Sequence, residues 1–289
     1  VAIGLAIGGL VYLLILLVVA YAATHPARSP MFLSPAALGE IPEEIEFASD
    51  GITLRGWWLQ PRDVRGVAVL CHGYVMNRSE NAALAVWLLR QGFACLAFDF
   101  RASGLSDGKR TGVGWSERRD VLAACRYAET RLPGLPRLLV GSSMGAAACA
   151  FAAAEDSACA AGAILDSSYS SLASATLGWW RFIGGWPAVV VLAPVVLVAW
   201  PLVQFNPFRV SVARALTALR TPVRILHGRR DRLAGPAHAV RNAAAAGTEV
   251  VWFEGAGHSE ARWCAPDEYL TEILAFVDSL EAFRPRSTV

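Results

Sequence analysis

A serine held between two glycines, in Gly141-Ser142-Ser143-Met144-Gly145, follows one short apolar run and opens an alanine-rich one. A hydroxyl is a poor nucleophile unless it is exposed and beside a base. A sharp strand-to-helix turn provides the exposure, and its crowding leaves room only for glycine at both flanks. Ser143 holds the central position; Ser142 is its neighbour. The backbone N–H of Met144 would face an oxyanion developing on a carbonyl attacked by Ser143, and the helix start adds positive potential there. The chemistry on offer is nucleophilic acyl transfer.

Such a serine needs a base, and the chain has five histidines. His25 lies in a linker. His238 falls in an expected helix and reads as an exposed helical residue. His72 and His227 each close an apolar run just before a glycine, positions that orient loops. His258 stands apart, after the glycine-rich loop Glu254-Gly255-Ala256-Gly257 and before the last helical pattern. It is the expected base. The acid should follow a strand between the two. Asp231, shortly after the run Val223 to Leu226, can fix the imidazole tautomer of His258 and stabilise its cation. Asp166, at the end of the preceding strand, is the rival; a salt bridge to Arg229, Arg230 or Arg232 is the other role open to Asp231.

The elements that must position these groups alternate along the chain. Strands are expected at 45–48 and 53–59, joined by Ser49-Asp50-Gly51 as a hairpin. Others are expected at 66–71, 93–98, 137–140, 162–165, 223–226 and 249–253. Helical spacing marks 79–90, 117–131, 146–154, 237–246 and 266–280. Near-continuous apolar strands alternating with helices predict an α/β fold with a mostly parallel central sheet, covered on both faces.

The 289 residues are 55% hydrophobic and 17% charged, with a mean hydropathy of +0.41. Soluble domains carry about 25% charge, so part of the chain is expected to meet lipid. A net charge of +2 is too small to argue for a nucleic-acid partner. Six cysteines show no CxxC pair and no metal spacing with histidine, and read as buried small hydrophobes. Residues 1–23 are uncharged and long enough to span a bilayer as a helix. Ala20-Tyr21-Ala22 offers a signal-peptidase site, but the run exceeds a typical signal h-region and lacks a basic start; an uncleaved transmembrane anchor is expected. Residues 24–43 then form a linker, 44–282 a catalytic domain with an insertion at about 167–215, and 283–289 a tail.

Five ordered motifs carry a resemblance: Cys71-His72-Gly73-Tyr74, Asp99-Phe100-Arg101-Ala102-Ser103-Gly104-Leu105-Ser106, the Ser143 turn, the Asp231 loop and Gly257-His258. From about residue 44 to 282 the chain resembles the α/β-hydrolase superfamily, and within it the membrane-anchored serine hydrolases of the Bem46 and ABHD type and their bacterial relatives. The order Ser, Asp, His is the one this fold uses. The resemblance implies a second oxyanion N–H from Tyr74, a structural role for the 99–106 loop, in which Ala102 replaces a frequent glycine, and a membrane location such as the bacterial inner membrane.

Between Phe182 and Phe208 there is no Asp, Glu, Lys or Arg, and hydropathy alone would make this a second transmembrane helix. One crossing, however, would separate Ser143 from Asp231 and His258, which must come within about 3 Å of one another. Pro187, Pro194 and Pro201 also divide the run into pieces too short to span. A broken apolar lid lying in the lipid interface is expected instead, with Trp179, Trp180, Trp186 and Trp200 suited to that depth. The combined expectation is a serine hydrolase cleaving esters or thioesters of lipophilic acyl groups, with membrane lipid as a partner and no metal or cofactor. Peptidase, acyltransferase and non-catalytic binding roles on the same scaffold stay open.

Overall fold

The computed structural model describes residues 1–284. An N-terminal helix, α1 (Ala2–Thr24), leads through residues 25–42 to the hairpin β1 (Glu43–Ser49) and β2 (Ile52–Leu59). Then follow β3 (Gly66–Cys71), α2 (Ala82–Arg90), β4 (Phe93–Phe98), α3 (Arg118–Arg131), β5 (Arg137–Ser142), α4 (Met144–Glu155) and β6 (Gly162–Asp166). The insertion holds α5 (Leu172–Leu192), α6 (Val195–Val203) and α7 (Val212–Thr217). The chain closes with β7 (Val223–Gly228), α8 (Pro236–Ala246), β8 (Val250–Phe253), α9 (Ala261–Cys264) and α10 (Pro266–Ser279).

Eight strands form one sheet in the order β1-β2-β4-β3-β5-β6-β7-β8. β2 is antiparallel to both neighbours and every later pairing is parallel. The β1–β2 turn is Asp50-Gly51, both at positive φ, the backbone of a two-residue hairpin turn matched to strand twist. β3, β4 and β6 are buried along their whole length, which is why they read as unbroken apolar runs. The core lies on both faces: α3 and α4 cover one, α2 and α10 the other.

Several expectations need correction. Residues 24–43 are docked onto the domain: Arg28 donates to the carbonyls of Ser103, Gly104, Ser106 and Gly108, and Asn77 donates to the carbonyls of Ser29 and Pro30. The helix expected from residue 79 starts as a 3-10 turn, Arg78–Asn81. Phe283, assigned to a tail, is buried against Phe93; residues 285–289 of that tail lie outside the described residues. The cysteines are free and five are buried as expected; Cys264 alone is exposed.

The insertion does not cross from one side to the other. Leu172 N–H donates to the carbonyl of Val210 at 3.0 Å, so the segment leaves and rejoins the domain at one point. Its break within α5 falls at Gly184–Gly185, whose dihedrals are non-helical, rather than at the prolines. Pro187 sits in the first turn after that break, where its missing N–H costs no hydrogen bond, and Pro194 stands at the 87° bend between α5 and α6. α1 is long and apolar enough to cross a membrane.

Candidate active site

Parallel strands β5, β7 and β8 deliver their following loops to the same sheet edge, where open α/β sheets place their ligands. β7 is two strands from β5 and β8 three, a lateral span of about 14 Å at the usual strand spacing. The loop 254–257 bridges it. At Gly228 a side chain would overlap the carbonyls of Ala256 and Gly257, so the glycine lets the His258 loop lie against the end of β7. Hydrogen bonds from Arg229 N–H to Phe253 and from Arg230 N–H to Ala256 fasten the two.

Ser143 caps α4 at φ 51°, ψ −111°, a strained left-handed position for a residue with a side chain. Tight packing maintains it. A Cβ on Gly141 would stand 2.5 Å from the amide nitrogen of Ala146, and one on Gly145 would overlap the carbonyl of Cys71. Ser143 N–H donates to Asp166 C=O at 2.8 Å, which leaves the hydroxyl facing the cleft. There Ser143 Oγ lies 2.8 Å from His258 Nε2, and His258 Nδ1 lies 2.7 Å from Asp231 Oδ2. In the neutral ring Nδ1–H donates to the carboxylate and Nε2 accepts from the serine. Asp231 is buried, and its Oδ1 accepts from the N–H groups of Leu233 and Ala234, both at 2.8 Å. No arginine among the described residues forms an ion pair with it; Arg229 pairs with Glu254 and stacks on Trp252.

Asp166 faces elsewhere. Its carboxylate accepts from Ser167 Oγ, Tyr269 Oη and Arg262 Nη2 at 2.9, 3.2 and 3.4 Å. Arg262 also lies 3.9 Å from Glu80, whose Oε2 accepts from Gly73 N–H at 2.7 Å. This buried chain joins the turn at Gly73, the strand behind Ser143 and the helix after His258. Nothing in sequence spacing marks Glu80 or Arg262, because their partners are distant in the chain. Tyr74 and Met144, the expected oxyanion donors, line the same cleft as Ser143, and a Cβ on Gly73 would be 3.6 Å from that of Ser143.

Three other histidines tie loops together. His72 Nδ1 donates to Gly73 C=O, and its Nε2 accepts from Phe100 N–H. His227 Nε2 donates to Ala234 C=O at 2.7 Å. His238 is buried, not exposed as its helical position suggested, and Nδ1 accepts from Ser170 N–H at 3.0 Å. Burial holds both His227 and His238 below the ordinary imidazole value, as neutral rings. The 99–106 loop is built on Asp99, which accepts from Arg78 N–H and Leu105 N–H; Ala102 stands at φ 59°, a left-handed conformation that glycine would adopt without strain.

The cleft above Ser143 has a volume of about 550 Å³, within the usual range for small-molecule sites. Leu172, Ala175, Trp179 and Trp180 of α5 form one wall, Ala23 of α1 and Phe32 another. Among the described residues, no group of three or more His, Cys, Asp or Glu is arranged to hold a metal ion.

This sheet order, with a serine on a strained strand-to-helix turn and an acid and a histidine on later loops, defines an α/β hydrolase. The family described as serine aminopeptidase, S33, matches residues 62–206, half of the chain, and the chain belongs to it. An esterase of Pyrococcus furiosus superposes with a TM-score of 0.74 at 21% identity, over 89% of this chain and 98% of that one. The esterase RhEst1 of a Rhodococcus species gives 0.60 at 21%, over 82% and 99%. Identities this low speak to the fold. Two curated relatives are each 36% identical over shorter stretches. Polyketide transferase ATR5 of Stachybotrys chlorohalonatus aligns over 41% of this chain and 42% of its own length. The monoacylglycerol lipase of Mycolicibacterium smegmatis aligns over 30% and 32%. The aligned stretch thus spans less than half of either relative.

Proposed function

We propose that this α/β hydrolase is a serine hydrolase cleaving carboxylic esters or thioesters of lipophilic acyl groups. The observation that carries the proposal is the continuous hydrogen-bonded line Ser143–His258–Asp231, with steps of 2.8 and 2.7 Å. Ser143 Oγ attacks the carbonyl carbon while His258 Nε2 takes its proton. Asp231 stabilises the resulting imidazolium and holds its tautomer. Backbone N–H groups of Tyr74 and Met144 receive the oxyanion, and the imidazolium then protonates the departing alcohol or thiol. Water, deprotonated by His258, attacks the acyl-enzyme and releases the acid and Ser143.

The apolar cleft walls support an acyl chain as the bound portion, and α1 supports a membrane location, with Ala2–Thr24 as a single-pass anchor and the bacterial inner membrane as the site. An aminopeptidase would need a carboxylate for the substrate's ammonium group. Two acids line the cleft, Glu80 and Glu260, each accepting a backbone N–H through one oxygen, from Gly73 and Gly257; an amide substrate with a free amino group, run beside the esters, separates the two readings. An acyltransferase would differ only in using another hydroxyl where water acts.

A fluorophosphonate probe and a panel of p-nitrophenyl esters of increasing chain length test the proposal. Covalent labelling and turnover that rise with chain length, both lost in Ser143→Ala, are expected. A folded wild-type protein inert to the probe and to every ester would overturn it.

A further inference from the structure

The insertion carries a physical difficulty that a lid lying flat on a membrane would not solve. It is uncharged from Phe182 to Phe208 yet broken at Gly184–Gly185 and again at the bend before Val195. Each break releases carbonyls from the helical ladder, and in hydrocarbon an unpartnered backbone group costs several kcal/mol. One such carbonyl is answered from an unexpected place. Val191 C=O, in the last turn of α5, accepts from Tyr12 Oη at 2.7 Å.

Tyr12 serves as a depth marker. It lies in the middle of α1, whereas tyrosines of membrane helices favour the two interfaces. Twelve residues separate it from Thr24 at the domain end, about 18 Å at the helical rise. Half of the hydrocarbon core is about 15 Å. α6 meanwhile runs beside the second half of α1: Leu16 and Ala20 are buried against Trp180 and Val195. Both ends of the hairpin are back on the domain. Leu172 is bonded to Val210, and Arg110 donates to Leu202 C=O at 2.6 Å. Its outer face leaves Phe182, Ile183, Trp186, Val190 and Leu197 exposed among the described residues, an apolar surface.

We infer that α5 and α6 form a re-entrant hairpin, inserted beside α1 into the leaflet nearest the domain and turning near the bilayer midplane at Ala193–Pro194. Its occupant is the acyl region of that leaflet. The cleft over Ser143 is walled by Ala23 of α1 and Trp179 and Trp180 of α5, so it lies between the two intramembrane pieces. Substrate then enters sideways, as an amphiphile whose acyl chain never leaves hydrocarbon. This second part rests on the hydrolase reading; the depth of the hairpin does not.

The test uses the full chain in phosphatidylcholine–phosphatidylglycerol vesicles, with exposed Cys264 changed to Ser. Spin labels on Ala193→Cys and Leu177→Cys are read against fluorescent lipids tagged at the headgroup or near the acyl terminus. Contact of position 193 with the acyl terminus and of 177 with the headgroup region is expected. Headgroup depth at 193, access of water-soluble reagents to it, or dipolar coupling between copies there would each overturn the hairpin. A second variant, Tyr12→Phe, tests the route. Its loss should slow turnover of a long-chain ester held in vesicles by roughly three- to tenfold, the effect of one interhelical hydrogen bond, and leave a soluble short-chain ester unchanged. Equal loss on both esters, or on neither, would overturn lateral access. If Ser143 failed to label while the depth gradient held, the hydrolase reading alone would fall.

Discussion

The phenolic hydroxyl of Tyr74 donates to the carbonyl of Ala23 at 2.9 Å. A residue of the turn beside Ser143 is thereby bonded to the last turn of α1, and its ring meets Trp179 of α5 edge-on at 5.8 Å. Three parts of the chain separated by some 50 to 100 residues share this one side chain. The N-terminal helix thus belongs to the cleft itself. Burial pushes the Tyr74 hydroxyl up to about 12, so it remains a donor through the physiological range. Tyr74→Phe keeps the ring and removes the bond. It should lower stability by about 1 kcal/mol, seen as a lower melting temperature in detergent.

Asp231→Asn separates charge from shape. The amide oxygen can still accept from Leu233 and Ala234, as Oδ1 does now. Its NH2 then faces His258 Nδ1 and imposes the wrong tautomer. The variant should fold normally and lose on the order of 10⁴-fold in kcat, measured on a p-nitrophenyl ester beside circular dichroism.

Stability should fall in acid. His227 and His238 are held neutral in the fold, below the ordinary value of 6.5, chiefly by burial. Below that pH the unfolded chain binds protons that the folded chain refuses, so stability decreases as the pH drops towards the folded-state values. Protonation of His238 would also remove the acceptor of Ser170 N–H. His238→Gln, whose amide oxygen can still accept there, should flatten the dependence of melting temperature on pH between 7 and 5.

Arg262→Met would strand Asp166 and Glu80, both buried, without their cation. Breaking a buried pair from one side costs about 3–5 kcal/mol. Chemical denaturation should show a loss of that order. Because Glu80 holds Gly73 N–H, kcat should fall in the surviving folded fraction while KM changes little.

Gly145→Ala places a methyl group into the carbonyl of Cys71. Neither backbone has a flexible end to move aside. A loss of about 3 kcal/mol or more should appear as poor recovery of folded protein, whereas Ser143→Ala, one position from the same turn, should melt near wild type.

The sheet and the three loops that meet at Ser143 were legible because each obeys a local rule. Apolar runs mark strands, and the serine, the acid and the histidine each follow one. The hairpin turn at Ser49-Asp50-Gly51 was legible from its turn residues, although Ser49 belongs to β1 and the turn itself is Asp50-Gly51. What escaped is tertiary. Arg28 gives no sign that it will bind four carbonyls of the 103–108 loop. His238 shows a helical position but not the buried Ser170 N–H it accepts from. Pro187, Pro194 and Pro201 advertised breaks, yet the sharp one within α5 falls at Gly184–Gly185, because only glycine takes the φ of 66° with ψ of −159° found at residue 185.

The hydrogen bond between Leu172 and Val210 closes the insertion at a narrow neck. Everything distal to that neck can change in length or chemistry without shifting a strand, much as surface loops absorb insertions. The wall that α5 gives the cleft can therefore change while Ser143, His258 and Asp231 keep their places. The shape of the cleft and the geometry of its hydrogen-bonded line are thus carried by separate parts of one chain.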